Sequence, residues 1–281
     1  MSDRAPSDLA KRLVTAAVGV PALFAIAFLA PNWAVWALYW VAGTLGAWEL
    51  ARMTGGGAPG PGGWAAVAAV ALTLAALYWA PTESLLATVA VATLATLVVV
   101  VWTSPIDEVA ARAGSAFLTI GYATPLFGAL VLTAGATGDA RFSVAASQAG
   151  WVLYPMAVIW SGDTGAYFAG RAFGRHKLAP TLSPKKTWEG AIGGLLASTL
   201  GGLAFGEWLL PELGPVRAAI IAIPAAAIGQ AGDLVESAIK RATGVKDSSA
   251  LLYGHGGVLD RVDALVFAAP CFAIAKWALG L

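Results

Sequence analysis

One stretch near the C-terminal end of the chain, residues 237–263, carries side chains able to do chemistry. It holds three carboxylates, four basic residues, a histidine and a Gly-Gly pair, whereas only 12% of all residues are charged. Basic side chains and glycine-rich turns bind phosphate oxygens, and carboxylates bind hard cations such as Mg²⁺. The stretch therefore predicts metal-assisted chemistry on phosphate groups.

The spacing of the charged residues predicts that they share helix faces. Asp233, Glu236 and Lys240 follow i, i+3, i+7 spacing, which places them on one face of a helix that ends near residue 241. Asp260 and Asp263, at i and i+3, share a face in the first turns of the next helix. Two acidic faces brought together would make an oxygen-rich site.

The connection between these two helices contains candidate phosphate ligands. Gly256 and Gly257 offer backbone N–H groups, and a helix start near Leu259 adds a positive dipole end. For His255 we predict a binding or positioning role rather than that of a general base. A plain salt-bridge network is the competing interpretation of this segment.

A second charged stretch follows an isolated carboxylate, Asp163, in an apolar run, where an ionised group is costly and usually faces a wet cavity or a partner. Beyond it lies a short basic turn, predicted to bind a phosphate group of either a lipid or a nucleotide. The turn consists of Ser183, Pro184, Lys185, Lys186 and Thr187. The alternative is an ordinary positively charged loop beside helices that pack through small residues.

The composition places these segments in a membrane protein. The 281 residues are 58% hydrophobic, with a mean hydropathy of +0.74, more than one soluble core requires. A spanning helix needs about 20 apolar residues, and nine runs qualify: 13–30, 33–50, 64–80, 85–103, 115–134, 149–170, 190–210, 216–238 and 259–280. We predict an all-α, polytopic integral membrane protein with about nine transmembrane helices.

Eight or ten spans are the alternatives, because Gly121 and Pro125 could break the fifth run and charges open the last. The first run, which follows Lys11 and Arg12, resembles a signal peptide. We expect it to be retained, because a second apolar run follows almost at once.

The charge distribution predicts an organisation and an orientation. Residues 1–150 are predicted to form about five N-terminal transmembrane helices that act as a scaffold, and residues 151–281 to carry the site. With a cytoplasmic N-terminus, all but three of the 17 basic residues fall on or near the cytoplasmic side, which favours that orientation for the site as well. A single cysteine, Cys271, excludes an intrachain disulfide and a thiolate metal cluster.

The segment from Ser237 to Asp263, with its KDSSALLYGHGGVLDRVD core, resembles the signature of the phosphatidate cytidylyltransferase (CDP-diacylglycerol synthase) family. The segment 163–190, which includes SPKKTWEG, is similar to the other recurrent block of that family, and Gly232-Asp233-Leu234 precedes the signature as expected. The resemblance covers about residues 160–265. Tyr253 departs from the pattern, which usually has Pro or Gly there.

This resemblance implies transfer of CMP from CTP to phosphatidate, giving CDP-diacylglycerol and pyrophosphate for phospholipid biosynthesis. It implies Mg²⁺, direct attack of the lipid phosphate on the α-phosphorus, and a place in the lipid bilayer of the cell (inner) membrane. A second, monovalent cation is compatible with the carboxylate spacing. Dimerisation is common in such enzymes, and no residue here decides between a monomer and a homodimer. No nucleic-acid partner is predicted.

Roles for individual residues follow by position within the resemblance. The predicted catalytic residues are Asp233, Asp260, Lys240 and Lys246. The predicted metal ligands are Asp233 and Asp260, then Asp263 and Asp163. The predicted substrate-binding residues are Ser183, Lys185, Lys186, Thr187, Arg241, Asp247, His255, Gly256, Gly257 and Arg261. Asp247 would orient Lys246 or complete the metal shell.

Two other functions compete with this one. A related enzyme acting on an ether lipid or a polyprenyl acceptor would share the chemistry and differ in its lipid groove. A cation transporter would use Asp163, Asp233 and Asp260 as an intramembrane ion site, but that hypothesis leaves the basic residues of 183–187 unexplained.

Overall fold

Helices dominate the three ranges that the computed structural model describes, residues 8–137, 145–252 and 256–281. Within these ranges lie nine α-helices: α1 (Asp8–Leu29), α2 (Asn32–Thr54), α3 (Pro61–Trp79), α4 (Leu85–Thr103), α5 (Val109–Ala134), α6 (Ala145–Phe173), α7 (Trp188–Leu209), α8 (Gly214–Ala242) and α9 (Leu259–Leu279). A hairpin of two strands, β1 (Lys177–Ala179) and β2 (Ser183–Thr187), connects α6 to α7. The predicted all-α class is confirmed.

Six of the described helices are long and apolar enough to cross a membrane: α3, α4, α5, α7, α8 and α9. The protein is therefore a multi-pass membrane protein. Helices α1, α2 and α6 do not meet the same measure of length and hydropathy over their described residues, so the count of nine spans stays a prediction. Helix α5 runs through Pro125 without a break, which removes the alternative in which the fifth apolar run is interrupted.

The N-terminal core lies between α2, α3 and α5, around the fully buried side chains of Leu74 and Phe127. Two tryptophans of α2 fasten it to α3, because the indole N–H groups of Trp36 and Trp40 donate to the carbonyls of Leu74 and Ala71 at 2.9 and 2.8 Å. Helix α5 also packs against α9. The N-terminal helices are thereby joined to the part of the chain that carries the charged segments.

Helices α6 and α7 form the most extensive contact between two elements of the described chain. Their backbones approach closely because the facing residues are small. A Cβ at Gly165 would collide with the side chain of Ala197, and one at Gly193 would collide with Ala169. Small residues at such crossings are typical of membrane helices, and the pair supports the hairpin between them.

We predict that Gly193→Val weakens this contact, because the added atoms meet Ala169 across the interface. Overpacking of this kind costs about 1–3 kcal/mol, measured as a lower free energy of unfolding in mixed detergent micelles. The matched control is Gly114→Ala in α5, where an added Cβ meets nothing and the change should be neutral or slightly stabilising. Equal losses in the two variants would contradict the close packing of α6 on α7.

Candidate active site

A cavity of about 500 Å³ opens where α6, the hairpin, α7 and α8 meet. Its lining combines both signs of charge with other polar groups: Asp163, Tyr167, Arg171, Lys185, Lys186, Thr187, Gln230 and Asp233. Small residues, among them Gly170 and Gly190, complete the wall and leave room for a ligand. The packing of α6, α7 and α8 therefore brings the charged segment that begins at Asp163 together with Asp233 of α8, whereas the cavity lining includes none of the described residues of 237–263.

The basic segment 183–187 is a strand, so the predicted turn is wrong. Strand β2 pairs antiparallel with β1, with Ala179 opposite Ser183 and Lys177 opposite Thr187. The physical reason is that α6 and α7 lie side by side, and the chain between them must leave α6 and return to the start of α7. A hairpin does this while satisfying backbone groups. Lys185 and Lys186 both line the cavity from this strand.

Two side chains at the start of α7 fasten the hairpin. The hydroxyl of Thr187 accepts the backbone N–H of Gly190 at 3.1 Å and caps the helix. The carboxylate of Glu189 accepts the backbone N–H groups of Arg175 and His176 at 3.1 and 3.2 Å, and contacts the His176 ring at 2.6 Å. Thr187, predicted to bind phosphate, thus has a structural role as a helix cap. Because it acts as the acceptor in this bond, its own O–H group can still donate to another acceptor.

Carboxylates from three helices lie in the region beside the hairpin, although not close enough together to hold a metal ion by themselves. The ammonium of Lys186 lies 2.5 Å from a carboxylate oxygen of Asp233 in α8, and the Ser237 hydroxyl lies 3.5 Å from the other oxygen. Asp163 in α6 and Asp263 in α9 are close enough to each other and to Asp233 for their charges to interact. Three of the four predicted metal ligands therefore lie in one neighbourhood.

Lys240 forms a second group of charges, called here the Lys240 cluster, with Glu236 and Asp260. Its ammonium lies 2.7 Å from Asp260 and 3.3 Å from Glu236, and the three side chains are only 12%, 5% and 1% exposed, respectively. The other oxygen of Asp260 accepts the backbone N–H groups of Ser248 and Gly257, both at 2.8 Å. Asp260 therefore ties the end of α8 to the α8–α9 loop, residues 243–258.

The remaining predicted residues lie in or beside this loop. Four of them are exposed and are not part of the cavity lining: Arg241, Lys246, Asp247 and Arg261. Gly256 adopts a φ of +79°, which favours glycine, and its carbonyl accepts the backbone N–H of Leu252 at 2.8 Å. The predicted role of His255 and the departure at Tyr253 lie outside the described residues.

Sequence reasoning missed several polar residues that the fold places at or near the site. Tyr167 and Gln230 line the cavity, and Arg171 donates to the Tyr167 hydroxyl at 3.0 Å. Glu49 of α2 is fully buried and contacts the α8–α9 loop. A signal for Glu49 was available, because it is an isolated carboxylate within an apolar run, the same feature that singled out Asp163.

The profile of the cytidylyltransferase family matches residues 10–279, nearly the whole chain. The chain belongs to this family and is a membrane-embedded nucleotidyltransferase. The relatives that it resembles bear the name phosphatidate cytidylyltransferase. The protein from Pseudomonas aeruginosa is 39% identical over 284 residues, which covers 97% of this chain and 98% of that protein.

Two further relatives of the same name align over shorter stretches. The Haemophilus influenzae protein is 47% identical over 126 residues, 43% of this chain and 44% of that protein. The Brucella suis protein is 52% identical over 121 residues, 42% of this chain and 43% of that protein. In these two alignments the chain matches less than half the length of its relative.

We predict that Lys240→Met destabilises the fold strongly, because Glu236 and Asp260 lose their buried cation. Breaking a buried pair costs about 3–5 kcal/mol, to be measured as the free energy of unfolding in mixed micelles. The matched control is Lys186→Met, because the Lys186–Asp233 pair is 27% and 34% exposed. Such a pair contributes about 1 kcal/mol or less. If Lys186→Met lowered the free energy of unfolding as much as Lys240→Met does, burial would not explain the stabilising role of the Lys240 cluster.

Proposed function

We propose that the protein transfers CMP from CTP to phosphatidate at the cavity between α6, the hairpin, α7 and α8. A phosphate oxygen of phosphatidate attacks the α-phosphorus of CTP and forms a new P–O bond. The bond from the α-phosphorus to the bridging oxygen of the β-phosphate breaks, and pyrophosphate leaves with that electron pair. The products are CDP-diacylglycerol and pyrophosphate, and no protein nucleophile is required.

The observation that carries this proposal is the mixture of side chains in the cavity. Asp163 and Asp233 provide carboxylate oxygens, while Lys185, Lys186 and Arg171 provide cations that pair with phosphate oxygens. Two of the cavity's three helices, α7 and α8, are apolar enough to span a membrane, so a lipid phosphate can reach it with its acyl chains still in the bilayer. The names of the relatives support the same pair of substrates.

The donor set fits Mg²⁺, which is usually held by one or two carboxylates together with substrate phosphates and water. Asp163, Asp233 and Asp263 would hold it, and when bound it would neutralise charge on the phosphate oxygens. In the described part of the chain no three such groups converge tightly enough to hold a metal by themselves. One oxygen of the buried Glu236 lies 3.3 Å from the Lys240 ammonium, without the alignment of a hydrogen bond. The proposal includes a second, monovalent cation beside Mg²⁺, held by the same carboxylates.

Asp260 is less suited than the other three aspartates to bind the metal ion, because both of its oxygens already have partners. One of its oxygens contacts Lys240 and the other accepts two backbone N–H groups, so a metal ion at Asp260 would have to displace the ammonium. We therefore assign Asp260 first to holding Lys240 and the α8–α9 loop in place. Lys240 and Lys246 remain our proposal for contacts with CTP or the departing pyrophosphate, with Arg241, Asp247 and Arg261 nearby in sequence.

The setting of the enzyme is also a proposal. The excess of basic residues on one side supports a cytoplasmic N-terminus and a site that opens to cytoplasmic nucleotides at the cell membrane. A homodimer is compatible with this arrangement. An ether-lipid or polyprenyl acceptor would use the same phosphate-binding groups, and the assay below separates these lipids.

The reaction is tested with purified protein, labelled CTP, phosphatidate and Mg²⁺. We expect CDP-diacylglycerol and pyrophosphate in equal amounts, and none when Mg²⁺ is removed by a chelator. Asp163→Asn should raise the Mg²⁺ concentration needed for half-maximal rate about tenfold or more, because it removes a charged ligand from the cavity. Product from an ether lipid or a polyprenyl phosphate but not from phosphatidate would overturn the acceptor, and ion flux without nucleotide would favour a transporter.

We predict that Lys185→Ala weakens substrate binding, because the cation lines the cavity and its deletion removes a partner of phosphate oxygens. KM for CTP or for phosphatidate should rise about tenfold, and the substrate affected tells which phosphate Lys185 holds. Lys177→Ala in β1 is the control, since this lysine lies on the same hairpin but is not part of the cavity lining. Unchanged KM values for both substrates in Lys185→Ala would exclude the proposed contact.

A further inference from the structure

Glu49 is a buried carboxylate in α2, far along the sequence from both charged segments. It is 0% exposed. One oxygen accepts the Ser249 hydroxyl at 2.7 Å and the backbone N–H of Val258 at 2.8 Å. The other accepts the backbone N–H of Leu259 at 2.8 Å and lies 3.0 Å from the Ser248 hydroxyl. All four donors belong to one segment, the α8–α9 loop and the first residue of α9.

These contacts explain why a carboxylate is tolerated at a position without solvent. A buried charge is stable only when it is paired or richly hydrogen-bonded. Glu49 accepts the Ser249 hydroxyl and two N–H groups at the start of α9, where helix N–H groups lack intrahelical partners and the helix dipole favours negative charge, and the Ser248 hydroxyl lies within reach. The carboxylate therefore stabilises the start of α9 in place of a local capping side chain.

Glu49 and Asp260 hold the same piece of chain from two sides. Ser248 donates its N–H to Asp260, and its hydroxyl lies 2.9 Å from Asp260 and 3.0 Å from Glu49. That hydroxyl has one proton, so it donates to one carboxylate at a time. Gly257 also donates its N–H to Asp260. Any movement of the loop away from Glu49 therefore moves two of the groups that hold Asp260.

The backbone at Gly257 packs tightly against the side chains that hold the loop. A Cβ at Gly257 would collide with both the Ser248 hydroxyl and the Glu49 carboxylate. One turn further along α2, the Arg52 guanidinium lies 3.5 Å from the Ser248 carbonyl and over the Trp48 ring. Helix α2 thus contacts the loop through a charged pair of residues, although it belongs to the half of the chain predicted to be scaffold.

We infer that Glu49 is a positioning residue for the enzyme, which fixes the α8–α9 loop and thereby the geometry of Asp260 and Lys240. It does not touch substrate. Its effect passes through Ser248, Val258 and Leu259 to the carboxylate that holds the Lys240 ammonium. The expected change in kcat rests on the proposed function, whereas the expected change in amide hydrogen exchange rests on the geometry alone.

The test compares Glu49→Gln with Tyr154→Phe in the full-length protein. Glu49→Gln keeps the size of the side chain but turns one oxygen into an N–H₂ group that faces donors. Tyr154→Phe removes another buried interhelical hydrogen bond, from the Tyr154 hydroxyl to the Ala218 carbonyl at 3.1 Å, away from the cavity. Amide hydrogen exchange at Val258 and Leu259 should accelerate about ten- to a hundredfold in Glu49→Gln only.

In the kinetic arm, kcat of Glu49→Gln should fall about a hundredfold, as expected for a small displacement of groups at a reacting centre. KM for both substrates should stay within about twofold, and Tyr154→Phe should keep the wild-type kcat per folded molecule. Wild-type exchange at Val258 and Leu259 in Glu49→Gln would overturn the inference. Faster exchange with unchanged kcat would reduce Glu49 to a purely structural residue and also overturn it.

Ser249→Ala provides a milder variant if Glu49→Gln does not fold, because it removes one of the four donors and keeps the carboxylate. Faster exchange at Val258 together with a lower kcat would support the inference, and wild-type values of both would overturn it. Failure of the proposed function is distinguishable from failure of this inference. In that case wild-type protein makes no CDP-diacylglycerol, while the difference in exchange between Glu49→Gln and Tyr154→Phe persists.

Discussion

Lys240 lies between carboxylates of two helices, Glu236 in α8 and Asp260 in α9, and all three side chains are almost completely buried. An apolar bundle tolerates such charges only when they are paired and hydrogen-bonded. The pairing therefore constrains how α8 and α9 meet and where the α8–α9 loop can run. Asp260 adds the backbone of Ser248 and Gly257 to the same arrangement, and Glu49 holds that backbone from the opposite side.

The cavity and the Lys240 cluster are adjacent parts of one charged region. Helix α8 contributes Asp233 to the cavity, Glu236 to the cluster about one turn later, and Lys240 about two turns later. Asp263 of α9 lies near both Asp233 and Glu236, so it connects the two groups. A divalent cation and two phosphate-bearing substrates need several charges of each sign held rigidly, and the helices supply them from positions fixed by packing. The hairpin adds two lysines that the helices could not present from the same direction.

Some of this arrangement could be predicted and some could not. Asp233, Glu236 and Lys240 lie on one face because helix periodicity dictates it, and an apolar run requires a helix in a membrane. The strand at Ser183–Thr187 was missed because five residues that include a proline carry little local strand signal. Their conformation depends on α6 and α7 lying side by side. Glu49 could have been singled out as an isolated carboxylate in an apolar run, but its partners lie about 200 residues away, and no local pattern identifies them.

The sequence by itself determined the class of protein, the positions of its helices, the acidic and basic faces they carry, and the resemblance to the cytidylyltransferases. These follow from hydropathy, periodicity and contiguous motifs, all of which are local properties. Only the tertiary structure decided which charge meets which: Lys186 with Asp233, Lys240 with Asp260, and Glu49 with the start of α9. The physical reason is that such pairs depend on the depth, rotation and spacing of packed helices, which a one-dimensional pattern does not specify.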